Sequence, residues 1–328
     1  MDSRQKVLSA LIAAQGSALS GQALGEALGI SRAAVNRHIR QLRALGYAIH
    51  SAPNRGYALT DQPDRLDPPR VLVQLATRWL GRVLRVLPSV DSTNAEIQRW
   101  AEEGAPHGAV VIAEEQTAGR GRYGRSWMSA PGDGLTMSLL LRPAMQPAEV
   151  QRVTLAAAAA VTEALEGLFP GTRFLIKWPN DILIGDRKVC GILTELSAAA
   201  EVTYWIVVGI GINVRGTPES MPEAIRATAG TLQQTGRTAD RAALAAAVLG
   251  AFESLWDEWI ESGSFDGVLR RYRAHMAYEG QQVRVTLDGQ SLEGVLTGVD
   301  DEGRLLIDTG SALIPLRSGE FSVRRIEP

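Results

Sequence analysis

The sequence predicts an α/β multidomain chain in three parts: an N-terminal winged helix-turn-helix, a central α/β body around a mixed or antiparallel sheet, and a small C-terminal β-barrel. Three observations carry that prediction. The chain has 328 residues, and at roughly 150 residues per domain this length holds two or three domains. Charge is segregated: residues 1–60 hold seven basic groups against Asp2 and Glu26, whereas the whole chain has a net charge of −2. From about residue 279 the pattern changes to short alternating runs separated by Asp-Gly, Glu-Gly and Ser-Gly pairs, as in a small barrel. The implied division is 1–64, 65–278 and 279–328.

Hydrophobic residues at 45% and charged residues at 21% build a folded core and exclude disordered, collagen-like and membrane-embedded chains. No apolar run reaches the roughly 18 residues of a membrane span. Residues 1–10 lack the layout of a secretory signal, so a cytoplasmic protein with no membrane partner is expected. Cys190 is the single cysteine and forms no internal disulfide, and His38, His50, His107 and His275 are too scattered for a zinc site.

In the first part, residues 6–14 form a helix with Val7, Leu8, Leu11 and Ile12 on its apolar face. Ser20 caps a short second helix, Gly29 supplies a left-handed exit, and Ser31 caps a third helix running to about Leu45. On that third helix Val35, Ile39 and Leu42 face inward, while Arg32, Asn36, Arg40 and Arg43 form an outward stripe. Arginine reads guanine edges or phosphates and asparagine reads adenine, so the stripe has the residue types of a recognition helix. A solvated helix face is the plainer alternative. Residues 47–50 and 56–59 alternate around 51–55, which makes a wing with Arg55 at its tip. Ser31, Arg32, Asn36, Arg37, Arg40 and Arg55 are therefore the candidate DNA contacts.

Residues 61–69 are polar and proline-rich, a linker with little room for helix. Beyond it, strands are expected at 84–87, 109–113, 136–141, 174–177, 182–184 and 204–208, with helices near 71–80, 94–103, 148–168 and 240–260. The barrel strands fall at 282–287, 292–300, 304–309, 313–317 and 320–324, with turns at Asp288-Gly289, Glu302-Gly303 and Ser318-Gly319.

Four segments of the central part carry chemistry. In Gly119-Arg120-Gly121-Arg122-Tyr123-Gly124-Arg125-Ser126-Trp127, glycines let the backbone fold back while Arg120, Arg122 and Arg125 bring charge to phosphate or carboxylate oxygens. A merely basic or RNA-binding loop is the alternative. The second segment runs from Lys177-Trp178-Pro179-Asn180-Asp181 to Lys188-Val189-Cys190-Gly191. Of 34 basic residues only Lys6, Lys177 and Lys188 are lysine, so this segment keeps a compact ammonium where the rest of the chain uses arginine. Codon bias is the competing explanation. An ammonium at Lys188 neutralises charge developing between a carboxylate and an α-phosphate, and Asn180 or Asp181 can hold nucleotide or Mg²⁺. Cys190, in an apolar strand, reads as packing. Third, Gly209-Ile210-Gly211-Ile212-Asn213 is a strand broken by two glycines that admits a ligand closely; no dinucleotide fingerprint or P-loop is present. Fourth, Asp91-Ser92-Thr93-Asn94 opens a helix, where Thr93 and Glu96 fit a capping box.

These four segments, in this order, resemble the biotin protein ligases. With a winged helix in front and a small barrel behind, the whole chain is similar to the bacterial biotin protein ligases that double as biotin operon repressors. The resemblance implies a class II synthetase-like ligase domain, an SH3-like C-terminal barrel, and a two-step reaction using ATP, Mg²⁺ and biotin. Biotin and ATP give biotinyl-5′-AMP, which then acylates a lysine of a biotin carboxyl carrier protein. It maps biotin contacts onto Ser92, Thr93, Asn94, Gln116, Arg120, Gly121, Arg122 and Lys188. It maps nucleotide contacts onto Arg122, Arg125, Trp127, Lys177, Asn180, Asp181 and Asn213, with Trp127 stacked on adenine, and a weak Mg²⁺ contact onto Asp181. Lys188, Arg120 and Arg122 become the catalytic cations. Tyr123 stands where the family commonly has arginine. The resemblance also implies a homodimer, formed when liganded, that binds operator DNA. Lipoate or octanoate ligases share the expected fold and central lysine but differ in the arginine-glycine loop. A ligand-sensing repressor without turnover accounts for the basic N-terminal part and leaves that loop unused.

Overall fold

The computed structural model describes residues 2–52, 55–128, 130–199, 202–287, 290–317 and 321–326. They form two compact units, one of residues 1–76 with 240–246, the other of residues 77–239 with 247–328.

The first unit contains α1 (Ser3–Ala13), α2 (Gly21–Leu28), α3 (Arg32–Ala44), β1 (Ala48–Ala52), β2 (Gly56–Asp61) and α4 (Pro68–Gln74). Helix α1 starts before the predicted residue 6, because Asp2 and Gln5 close a reciprocal capping box. The predicted turn into α3 is present: Ser20 Oγ accepts from Ala23 N–H, Gly29 lies at φ +65°, and Ser31 Oγ accepts from Ala34 N–H at 3.1 Å. Val35, Ile39 and Leu42 are buried with Val7, Leu8 and Leu11 in one core. Strands β1 and β2 pair antiparallel as the wing; Pro53 and Asn54 at its turn lie outside the described residues.

Two expectations for this unit change. Arg43 is exposed as the outward stripe requires, but its guanidinium is engaged with the wing, donating to Ile49 O at 2.8 Å and Ser51 Oγ at 2.7 Å. The linker is folded as well. Two prolines open α4, where a missing N–H costs nothing, and Tyr47 Oη donates to Asp67 at 2.5 Å. Arg70 pairs with Asp240, and Arg241, 1% exposed, holds Asp64. Because α4 ends at Gln74, the helix predicted to residue 80 stops early; residues 78–80 instead give their three N–H groups to the buried Glu253 carboxylate.

The second unit is built on β3 (Leu84–Leu87), α5 (Thr93–Glu102), β4 (Val110–Ala113), β5 (Gly134–Leu141), α6 (Val150–Leu168), β6 (Leu175–Lys177), β7 (Asp181–Ile184), β8 (Arg187–Ala199), β9 (Val202–Asn213), α7 (Glu223–Arg226), most of α8 (Arg241–Ser262) and α9 (Asp266–Ala274). The sheet order is β3-β4-β5-β9-β8-β7-β6, and only β3 and β4 run parallel. Every predicted central strand is present within a few residues. Strand β9 is longer than expected and passes unbroken through Gly209 and Gly211, because both glycines keep their ladder partners on β8. The capping box predicted at Thr93 does not form. Ser92 is the N-cap, and Glu96 turns to Arg85 and Arg99.

Strands β10 (Gln282–Leu287), β11 (Gln290–Val299), β12 (Leu305–Asp308), β13 (Leu313–Leu316) and β14 (Phe321–Arg325) make a five-stranded antiparallel sheet ordered β13-β12-β11-β10-β14. The Glu302-Gly303 turn is present, with Gly303 at φ +79°; Asp288-Gly289 and Ser318-Gly319 lie outside the described residues. Among the described residues no helix is long and apolar enough to cross a membrane.

Candidate functional site

On α3 the side chains of Arg32, Asn36, Arg37 and Arg40 are exposed. Ser31 caps the helix start. Arg55, beside the wing turn, is exposed too. Together these residues present a cationic helix face and wing suited to a phosphate-lined groove.

In the second unit, residues 119–127 form a closed loop. Trp127 N–H donates to Gly119 O at 2.9 Å, Gly121 N–H to Arg125 O at 2.7 Å and Arg125 N–H to Arg122 O at 3.2 Å. Tyr123 sits at φ +57° at its apex, and its hydroxyl accepts from Arg122 at 2.6 Å. Arg122 also donates to Asn180 Oδ1 at 2.9 Å, while Arg120 and Arg125 extend into solvent. The loop walls a cleft of about 530 Å³ closed on the other side by Leu193 and Glu195.

One lysine is paired with a carboxylate and the other is that residue's ladder partner. Lys188 Nζ lies 2.6 Å from Asp181 Oδ1, and Lys177 pairs with Asp181 in the β6–β7 ladder. Burial lowers the Lys177 pKa first of all; Asp181 opposes that, and Lys188, Arg324 and Arg125 push it further down. The region is thus over-supplied with cations and favours an incoming anion. Asn180 is buried and clamps β8, donating to Ile192 O at 2.8 Å and accepting from Ile192 N–H at 3.0 Å. Asn213 donates to Gly230 O at 3.0 Å, which spends its amide on a neighbouring loop. Burial pushes the Cys190 thiol far up, as the packing assignment requires.

Trp127 lies on a floor of two glycines. Gly191 and Gly211 face each other across β8 and β9. A Cβ at Gly211 would stand 2.5 Å from Trp127 Cε2, and one at Gly191 would stand 3.0 Å from Trp127 Cζ3. Lys188 Nζ is 5.6 Å from the indole centroid. The Trp127 Nε1–H is buried and without a hydrogen-bond partner.

Ser92, Thr93 and Asn94, at the start of α5, are all buried. Thr93 N–H donates to Gln116 Oε1 at 2.7 Å, and its hydroxyl lies 3.1 Å from the same oxygen. Asn94 is bound on both sides by Ser138 of β5 and Glu195 of β8. Ser138 and Glu195 were not among the predicted site residues; each lies far from Asn94 in sequence, and only the sheet order brings them together. Among the described residues no cluster of three His, Cys, Asp or Glu can hold a metal ion. Mg²⁺ carried on nucleotide phosphates needs only one or two protein oxygens, and the Asp181 carboxylate is a group of that kind, whereas Asn180 Oδ1 is engaged by Arg122.

A sheet of this order, with a cationic loop over a paired lysine and carboxylate, defines an acid-activating ligase; the winged helix adds a DNA-binding module. Comparison with known sequence families matches residues 86–213 to the biotin/lipoate A/B protein ligase family, residues 3–58 to an HTH domain and residues 279–324 to the biotin protein ligase C terminal domain. The chain is 36% identical to the bifunctional ligase/repressor BirA of Bacillus subtilis, covering 93% of this chain and 94% of that protein. It is 34% identical to the protein of the same name in Escherichia coli, covering 96% and 95%. The solved biotin protein ligase of Aquifex aeolicus in complex with biotin and ATP aligns with a TM-score of 0.65 at 34% identity, over 75% of this chain and all of that one. The chain belongs to the family of bifunctional biotin ligase/repressors.

Proposed function

We propose that this protein is an ATP-dependent biotin protein ligase and a biotin-responsive transcriptional repressor. The observation that carries the reading is the cation cluster of Lys188, Lys177 and the 119–127 loop beside a cleft of about 530 Å³. In the first step an oxygen of the biotin carboxylate attacks the α-phosphorus of ATP. The new carbon–oxygen–phosphorus link gives biotinyl-5′-AMP, and the bond to the β-phosphate breaks to release pyrophosphate. In the second, a carrier lysine amine attacks the acyl carbon, AMP leaves and the amide nitrogen gives up a proton. Lys188, Arg120 and Arg122 stabilise the charge that develops between these anions.

Ser92, Thr93, Asn94, Gln116 and Gly121 make the biotin side of the pocket. Arg125, Trp127, Lys177, Asn180, Asp181 and Asn213 make the nucleotide side, where Mg²⁺ bound with ATP supplies phosphate charge neutralisation. The partners are a biotin carboxyl carrier protein and operator DNA, the latter met by Ser31, Arg32, Asn36, Arg37, Arg40 and Arg55. A liganded homodimer presents two such faces, which multiplies DNA affinity. We keep 1–64, 65–278 and 279–328 as the working division of the chain and place it in the cytoplasm.

Mass spectrometry of the products formed from MgATP with biotin, lipoate or octanoate tests the reading. Biotinyl-5′-AMP alone is expected. A lipoyl or octanoyl adenylate redirects the assignment, and no adenylate from any acid leaves a sensor-repressor.

A second outcome concerns the turn that carries Asn180 and Asp181. The indole N–H of Trp178, in the same turn, donates to Gly303 O at 3.0 Å, and Gln151 donates to the same oxygen at 3.0 Å. Trp178→Phe keeps the ring and deletes that donor, a loss of about 1 kcal/mol. The expected result is a several-fold rise in KM for ATP with KM for biotin unchanged, measured by pyrophosphate release.

A further inference from the structure

We infer that Glu195, acting with Ser138, is a positioning residue that sets the direction of a buried hydrogen-bond chain ending at the biotin pocket. The inference rests on the proposed biotin assignment of Thr93 and Gln116. Asn94 is 3% exposed and all its amide atoms are engaged. Its Nδ2 donates to Glu195 Oε2 at 2.6 Å and to Leu193 O at 3.3 Å, and its Oδ1 accepts from Ser138 Oγ at 2.6 Å. Ser138 Oγ is also 2.8 Å from Thr93 Oγ1, which is 3.1 Å from Gln116 Oε1. The chain therefore runs from Glu195 through Asn94, Ser138 and Thr93 to Gln116.

An amide is symmetric in shape, so something must fix which end is nitrogen. The Glu195 oxygen is the acceptor in this pair and holds the Asn94 nitrogen toward β8. The Asn94 oxygen then takes the single Ser138 proton. Ser138 shares that proton with Thr93 Oγ1, 2.8 Å away, which leaves the Thr93 hydroxyl to donate to Gln116 Oε1 at 3.1 Å. At the far end Gln116 Oε1 is consumed by the Thr93 N–H, 2.7 Å away, so Gln116 keeps its Nε2 donors for a ligand. A Cβ at Gly119, in the cleft wall, would stand 2.9 Å from that Nε2, which puts these donors beside the cleft. A ligand carbonyl such as that of a ureido group is the matching acceptor. The packing allows no other side chain at the crossing, since a Cβ at Gly209 would lie 2.2 Å from Asn94 Oδ1.

Glu195→Gln replaces an acceptor-only group with one that also donates, so the Asn94 amide is no longer held in one sense. The expected result for the full-length variant is a rise of about tenfold in KM for biotin, with kcat and KM for ATP within about twofold of the parent. Ser138→Ala, nearly isosteric, is expected to give the same split. The paired change Asn94→Asp with Glu195→Gln reverses the donor and acceptor at that contact and is expected to recover most of the lost biotin affinity. Unchanged KM for biotin in both single variants, or equal rises in KM for biotin and ATP, overturns the inference. Thr93→Ala separates the two levels. If it leaves KM for biotin untouched, the pocket assignment itself has failed; if it raises KM while Glu195→Gln and Ser138→Ala do not, only the positioning role has.

Discussion

Lys188→Ala lowers the rate of biotinyl-5′-AMP formation by about a thousandfold, at the upper end of what one preorganised charge contributes to a transition state. The ammonium sits 2.6 Å from Asp181 and is 35% exposed, so its removal leaves the core intact and the variant folded. It leaves Asp181 as a negative group where phosphate must come, which adds repulsion to the missing attraction. Lys188→Arg is expected to recover little, because a planar fork does not replace a compact charge packed close against Gly191, whose Cβ would already stand 2.9 Å from Lys188 Nζ. Adenylate yield by mass spectrometry, with circular dichroism of the same sample, checks both statements. Retained adenylation by folded Lys188→Ala removes the lysine from the mechanism.

Gly211→Val carries the second large effect. The strand itself tolerates and even favours a β-branched residue. The added atoms, however, occupy the space of the Trp127 indole, whose Cε2 is 2.5 Å from the position of the first new carbon. The ring must leave the floor that Gly191 and Gly211 provide, and with it goes the aromatic surface assigned to adenine. A rise of about a hundredfold in KM for ATP is expected, equal to loss of a full stacking interaction of about 1–3 kcal/mol. KM for biotin changes far less. Trp127 fluorescence on ATP titration reads the same loss without turnover.

Elements whose cause lies within a few residues were legible from sequence. The Ser20, Gly29 and Ser31 signals place α2 and α3 because caps act over three or four positions. The arginine-glycine loop, the lysine pair and the Ser92-Thr93-Asn94 segment likewise announce themselves by composition, and the first of them walls the cleft with Leu193 and Glu195. What sequence missed was set at long range. Asn94 and Glu195 meet only because α5 packs on the sheet where β8 runs beside β9. Arg43 reads from sequence only as a member of the outward stripe, because nothing local reveals that Ile49 and Ser51 fold back onto it. The segment at 61–69 read as a free linker because its polar side chains find their partners at Tyr47 and Arg241. The glycines of β9 read as a break for a related reason: their cause is an indole and an amide from distant segments, and neither interrupts the ladder.

The carbonyl of Gly303 bears on biosynthesis. The Trp178 turn and helix α6 are made long before residue 303 leaves the ribosome, yet both donate to that one oxygen. Domains fold in the order they emerge. A nascent chain halted before the C-terminal sheet therefore has the Asn180–Asp181 turn held by Ile192, Arg122 and Lys188 but lacks the carbonyl that takes the Trp178 indole proton. The last of the contacts on that turn is therefore made among the latest events of synthesis.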